Sequence, residues 1–265
     1  MLSTATGSDT EIGLRDLRKS FDGRNVLDGL TLEVRRGEFL AIVGRSGSGK
    51  SVLLRLIVGL IQPDSGGIEV GDVDPAKAPR EKLDELRDRI GFLFQGAALL
   101  NSLTVFDNVA LPLRERARMP EPEVRKEVLA RLRSVGLEKD GEKLPGQLSG
   151  GMRKRAGLAR ALVGRRDLFL YDEPTAGLDP IAAASIRDLL REIHEGSDAT
   201  SVLVSHDLDL VFHLAERVAF LEKGKIHAVG TPEELRQSAD PVIQRFLRGE
   251  PEPERPMEEK SHEQR

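Results

Sequence analysis

The chain has 265 residues, 39% of them hydrophobic and 32% charged; this suffices for one large domain or two modest ones and excludes a fibrous or wholly disordered polymer. With 40 Lys and Arg against 44 Asp and Glu the net charge is −4, so no overall field gathers nucleic acid and we expect no nucleic-acid partner. The absence of cysteine excludes disulfides, thiolate metal sites and a thiol nucleophile.

Residues 1–10 have neither a basic region nor an apolar stretch and read as a flexible start rather than a secretory leader. Residues 11–21 and 30–34 alternate as strands do, and the apolar run 39–43 (FLAIV) suits a strand buried on both faces. A Gly/Ser-rich loop follows, and residues 51–60 read as a helix closed by Gln62-Pro63-Asp64. The run 90–94 ends at Gln95. Between 96 and 164 the texture becomes helical. Val124, Val128, Leu132 and Val135 recur at helical spacing within 120–136, and a second helix is predicted from Ser149 to Val163. Strands return at 168–171 and 201–204 with a helix over 181–194 between them. Residues 217–221 and 225–229 form a last strand pair joined through Lys223-Gly224. This alternation predicts an α/β fold with a parallel sheet flanked by helices. Residues 250–265 hold six Glu against three Lys and Arg, and the segment from 249 reads as a disordered acidic tail. The most apolar stretch, 53–61, is interrupted by Arg55 and falls short of the ~20 residues that span a bilayer, so work at a membrane would run through a partner.

Three segments carry chemistry. Gly44-Arg45-Ser46-Gly47-Ser48-Gly49-Lys50-Ser51 fits G-x-x-x-x-G-K-[ST] between a predicted strand and a predicted helix. Glycines let backbone N–H groups turn inward around phosphate oxygens, the helix start adds partial positive charge, Lys50 reaches the terminal phosphates and Ser51 ligates Mg2+. The alternative is a flexible turn. Leu168-Phe169-Leu170-Tyr171 delivers Asp172 and Glu173 to a strand end, where Asp172 suits Mg2+ and Glu173 suits a base acting on water. His206 ends another apolar strand and can reach the same region, whereas Gln95 is not singled out by position alone. Leu148-Ser149-Gly150-Gly151 opens a helix with a good N-cap and bare amides. Arg153, Lys154 and Arg155 then sit at the positive end of the helix dipole, a conflict that an anion docked there would relieve; a solvated basic turn is the alternative.

Taken in order, these segments resemble the ATP-binding-cassette (ABC) ATPases over about residues 11–236. Gly44–Ser51 resembles the Walker A loop, Gln95 the Q-loop glutamine and Leu148–Met152 the signature motif. Asp172 and Glu173 resemble Walker B with its catalytic glutamate, Ala176-Gly177-Leu178-Asp179 the D-loop, and His206 the switch histidine. The resemblance implies a P-loop ATPase core with an antiparallel β region over 11–95 and 165–236, an inserted helical subdomain over 96–164 and a C-terminal helix over 237–248. It implies Glu173 and His206 in catalysis, and Mg2+ on Ser51, Gln95 and Asp172. ATP would lie on Gly44, Arg45, Ser46, Gly47, Ser48, Gly49, Lys50, Ser51, Val52 and Gln95, with Phe21 stacked on adenine; for Phe21 a core strand residue is the alternative. Ser149, Gly150, Gly151 and Asp179 would complete the site from the other subunit of a head-to-tail dimer.

Met152 in place of the usual Gln, Val52 after the Walker serine, and the text around Gln95, 103–109 and 112–115 are similar to the MlaF-type ATPases of MCE-family lipid transporters. That implies an integral membrane permease, an MCE-domain lipid-binding protein and a small accessory subunit as partners. It also implies a place on the cytoplasmic side of the inner membrane. Leu99, Leu100, Leu103, Val105 and Phe106 are then expected to face the permease. Another transported solute is the main competing reading, and a soluble cassette protein acting on ribosomes or DNA is a more distant one.

Overall fold

In the computed structural model, which describes residues 9–116 and 119–251, the run expected to be buried on both faces lies in the middle of the larger sheet. β3 (Phe39–Val43) is flanked in parallel by β7 (Thr200–Ser205) and β8 (Arg217–Glu222), and all five of its residues are buried. Phe39, Ala41 and Val43 feed one core; Leu40 and Ile42 feed the other. The sheet continues through β6 (Leu168–Asp172) to β5 (Ile90–Leu93), both parallel. At its other edge β9 (Lys225–Gly230) returns antiparallel to β8, as the Lys223-Gly224 turn predicts.

Among the described residues a second, antiparallel sheet joins β2 (Arg24–Arg35), β1 (Thr10–Phe21) and β4 (Ser65–Val70). It packs its apolar face with α1 (Lys50–Ile57) and the Leu40/Ile42 side of the large sheet. β1 begins inside the stretch expected to be flexible, and the Asp9 carbonyl accepts from Arg36 N–H; residues 1–8 lie outside the described residues. The helix read over 51–60 stops at Ile57, because Gly59 takes a left-handed φ of +66°. β4 and α2 (Arg80–Arg89) escape the sequence reading. β4 has two glycines directly after its first residue, Ser65, and α2 buries Leu86 alone, so neither carries a period.

α3 (Val105–Glu115), α4 (Glu121–Ser134) and α5 (Gly150–Leu162) pack on one another and share a core with the Phe39 face of the sheet. Val124, Val128, Leu132 and Val135 are buried, as their spacing predicts; fully burying each of the first three side chains is worth about 1.5–3 kcal/mol. The Ser149 hydroxyl accepts from Met152 N–H at the expected start of α5. α6 (Pro180–Glu195) and α7 (Leu208–Leu214) cover the same face. The single C-terminal helix expected over 237–248 is instead α8 (Pro232–Gln237) and α9 (Pro241–Leu247). Asp240 caps the second and Pro241 takes its first turn, where a missing N–H costs nothing. Gly249 and Glu250, the start of the expected tail, are hydrogen-bonded back to α9, while residues 252–265 lie outside the described residues. Among the described residues no helix is long and apolar enough to cross a membrane.

Of the five residues expected to face a permease, Leu100 is exposed and two are taken up by packing within the chain. Val105 is fully buried in the core, since it begins the inner face of α3, and Phe106 lies under the guanidinium groups of Arg114 and Arg125. A groove of about 410 Å3 opens instead between β5, the loop after it and α3, with Phe92, Phe94, Ala98, Leu111 and Pro112 on its walls.

Candidate functional site

The loop between β3 and α1 is shaped by two glycines. Gly44 lies so close to the Leu221 carbonyl that a Cβ would collide with it, and Gly49, at φ +102°, occupies the N-cap of α1. As glycine it offers no side-chain cap, so the helix's first amides are left for a ligand. The Ser48 hydroxyl is buried without a hydrogen-bond partner. Lys50 folds back across the loop: its ammonium donates to the Gly44 carbonyl (2.8 Å) and the Arg45 carbonyl (3.1 Å) and lies 3.8 Å from Glu173 Oε1. Burial lowers the Lys50 pKa, opposed by the charges of Glu173 and Asp172.

Behind the loop, Ser51 Oγ donates to Asp172 Oδ1 at 2.7 Å. Burial raises the Asp172 pKa, opposed first by that hydrogen bond. Glu173 follows at φ +47°, a left-handed conformation that costs a residue with a Cβ about 1–3 kcal/mol and persists where its surroundings dictate it. Its N–H donates to the Val204 carbonyl at 3.0 Å. Its Oε2 lies 2.9 Å from His206 Nδ1 and accepts from Ser205 Oγ (3.3 Å) and His206 N–H (3.4 Å). Glu173 is buried and His206 exposed, so the pair spans the wall of a site open to water.

These groups surround one cavity of about 590 Å3. Ser46, Gly47, Gly49, Lys50, Ser51 and Val52 form one side; Gln95, Glu173 and His206 face them. Arg45 turns aside and donates to the Glu250 carbonyl at 2.7 Å. Phe21 is not a core residue: it is 44% exposed at the end of β1, with the Lys19 ammonium 5.3 Å from its ring centroid. Ser149, Gly150 and Gly151 do not line the cavity. They pack beside the D-loop, where Cβ atoms on Gly150 and Gly151 would touch Leu178 and Ala182, and Asp179 caps α6 through the Ile181 and Ala182 amides. One chain therefore brings together a glycine-shaped loop with its lysine, a Ser–Asp oxygen pair and a carboxylate held against His206. The glycine-rich helix start stays apart from them.

Each side chain of the basic trio turns to acceptors within the fold. Arg153 donates to the Leu148 carbonyl, and Arg155 to the Val135 carbonyl and Ser185 Oγ. Lys154 is buried and donates to the carbonyls of Gln95 and Glu173. Arg160, farther along α5, donates to the carbonyls of Ala97 and Ala98 at 2.7 Å each. Sequence reasoning named Lys154 only as part of a basic helix start and missed Arg160. The available signal was their spacing around Gly157, which gives these two cations one flank of a helix otherwise rich in small residues.

A family model described as ABC transporter matches residues 27–176. The chain is 40% identical over 239 residues to the intermembrane phospholipid transport system ATP-binding protein MlaF of Haemophilus influenzae, covering 90% of each chain. It is 39% identical over 238 residues to the probable ribonucleotide transport ATP-binding protein mkl of Mycobacterium leprae, covering 90% of this chain and 69% of that one. Among solved structures, a dimeric ATP-binding cassette in a post-hydrolysis state with ADP and Pi matches with a TM-score of 0.77 at 33% identity, covering 83% of this chain and 98% of that one.

Proposed function

The chain belongs to the ABC transporter ATP-binding family, and we propose that it is the Mg2+-dependent ATPase subunit of a transporter that moves phospholipid between bacterial envelope membranes. The observation that carries the chemical part is the Glu173 carboxylate, held by His206 across a cavity from the Lys50 loop. The lipid part rests on the match to MlaF, which extends over 90% of both chains, against 69% of the relative named for ribonucleotide transport.

The residues present fit a nucleotide triphosphate. Uncapped amides at the start of α1 and the partnerless Ser48 hydroxyl are donors suited to phosphate oxygens, and the Lys50 ammonium can exchange two carbonyls for them. Ser51 Oγ, Asp172 and Gln95 are the oxygen donors that would hold Mg2+. Among the described residues no group of three or more His, Cys, Asp or Glu is placed to hold a metal, so phosphate oxygens and water would complete its shell. When bound, Mg2+ supplies charge neutralisation on the phosphates. Glu173 takes a proton from a water as its oxygen bonds to the γ-phosphorus and the bond to the ADP oxygen breaks. His206 keeps the carboxylate turned toward that water.

Ser149, Gly150, Gly151 and Asp179 lie outside this cavity, which supports a head-to-tail homodimer in which they close the partner's site; the solved relative is dimeric. The groove at Phe94 and Leu111 is the surface we assign to an integral membrane permease. That contact would hold the chain at the cytoplasmic side of the inner membrane, in a complex that also includes an MCE-domain protein and a small accessory subunit. Purification of the full chain from membranes, with identification of its partner and bound lipid, tests the reading. Co-recovery of a membrane permease and phospholipid is expected. A complex that carries a polar solute and no phospholipid would overturn the cargo.

A further inference from the structure

We propose that Lys154 is a positioning residue: its ammonium, set between the backbone carbonyls of Gln95 and Glu173, ties the orientation of Glu173 to the placement of the loop after β5. This rests on the assignment of Glu173 as the base.

A buried ammonium demands acceptors, and Lys154, 5% exposed, finds them in two segments that sequence does not connect. One is the Glu173 carbonyl, 2.9 Å away, on the peptide that follows the left-handed φ of +47°. The other is the Gln95 carbonyl, at the mouth of a loop that also departs from ordinary backbone, with Ala97 at φ +60° and Ala98 at φ +48°. Such conformations last only where surrounding contacts impose them, and α5 supplies those contacts at a spacing of three. Lys154 grips Gln95. Gly157 admits Ala97, where a Cβ would stand 2.9 Å from the alanine Cβ. Arg160 grips Ala97 and Ala98. The loop and α5 are thus bolted together, and Lys154 is the bolt that also reaches Glu173.

Lys154 reaches Glu173 by hydrogen bonding to its backbone carbonyl, so it acts through the backbone. Burial lowers its pKa, and the charges of Asp172 and Glu173 oppose that, so the site itself helps to keep the ammonium charged. Any shift of the loop or of α5 against the sheet pulls on the Glu173 peptide and turns the carboxylate relative to His206. Hydrolysis is thereby made sensitive to how the helical region sits, without any change in the cradle that holds phosphate.

Single-turnover hydrolysis of radiolabelled ATP and equilibrium binding of a fluorescent ATP analogue, both on the full chain, test this. Lys154→Met removes the donors and the charge at similar length. It is expected to slow hydrolysis about 10- to 100-fold, the scale of an ångström-level misplacement, with the Kd for the analogue within about twofold. Lys154→Arg is expected to stay within about threefold of the wild-type rate. In a Glu173→Gln background Lys154→Met should slow hydrolysis no further, because both changes act on one group. A wild-type rate in Lys154→Met, an equal slowing in the Glu173→Gln background, or a Kd that weakens in step with the rate would each overturn the proposal. If Lys154→Met does not fold, Lys154→Gln takes its place: a slow Gln variant beside a fast Arg variant supports the proposal, and equal rates overturn it. A Glu173→Gln chain that hydrolyses at the wild-type rate would instead remove the base assignment itself.

Discussion

Ser51 Oγ and Asp172 Oδ1 are 2.7 Å apart, joining the first turn of α1 to the last residue of β6 across 121 positions of sequence. The bond is possible because β3 and β6 lie on either side of β7 in one parallel sheet, so that their C-terminal ends open on the same edge. Ligands collect at that edge in open α/β sheets, and the pair sets two hard oxygen donors there.

Ser51→Ala should therefore raise the Mg2+ concentration needed for half-maximal ATPase by at least an order of magnitude. Loss of a hydrogen bond to a buried carboxylate should also cost about 1.5–3 kcal/mol of stability in the protein without nucleotide. A Mg2+ titration of ATPase and a urea melt check the two effects separately.

Glu173→Gln keeps the size of the side chain and removes its basicity. Turnover should fall by about 10²–10⁴-fold while the Kd for ATP holds. Lys50→Ala should instead weaken ATP binding itself, because its ammonium sits in the cradle; binding measurements beside single-turnover rates distinguish them.

Phe21 is half in solvent, so Phe21→Ala should leave the melting temperature nearly unchanged. If the ring stacks on adenine, worth about 1–3 kcal/mol, the Kd for ATP should rise about 5- to 150-fold, and Phe21→Tyr should leave it unaltered. An unchanged Kd in Phe21→Ala would remove the residue from the site.

Asp64 holds the end of β1 by accepting from Lys19 Nζ at 2.7 Å and from the Ser20 amide and hydroxyl at 2.6 Å each. The Lys19 hydrogen bond first, then those from Ser20, pull its pKa from 3.8 to about 2. A depressed carboxylate pKa stabilises the fold above the unfolded value and loses that effect as pH falls through the folded one. The gap in melting temperature between wild type and Asp64→Asn should be widest above pH 4 and close between pH 4 and 2. A gap that stays constant over that range would show that the ionised carboxylate does not contribute.

The groove between β5 and α3 is lined by Phe92, Phe94, Ala98, Leu111 and Pro112, which suits the apolar face of a helix. If the groove receives the permease proposed above, Leu111→Arg should abolish recruitment of the chain to membranes that contain it and leave ATP binding intact. Flotation with such membranes, beside nucleotide binding in solution, is the measurement.

Much of this chain is legible before it folds, and in each case the reason is local. The glycines and Lys50 of the first loop, the apolar run into Asp172 and Glu173, the cap at Ser149 and the inner face of α4 all depend on residues within one or two turns of each other. Backbone propensity and hydrophobic period therefore specify them. Only the tertiary structure decided where long polar side chains end: Ser51 on Asp172, His206 on Glu173, and Arg160 on two left-handed alanines. It also took Val105 into the core, left Phe21 in water, and sent Lys154 inward where the sequence left an anion site and a solvated basic turn as the two readings. A flexible cation carries no mark of its partner, because its acceptors are backbone carbonyls that every residue possesses. Which carbonyl it meets is settled when distant strands align and burial forces the charge to find one.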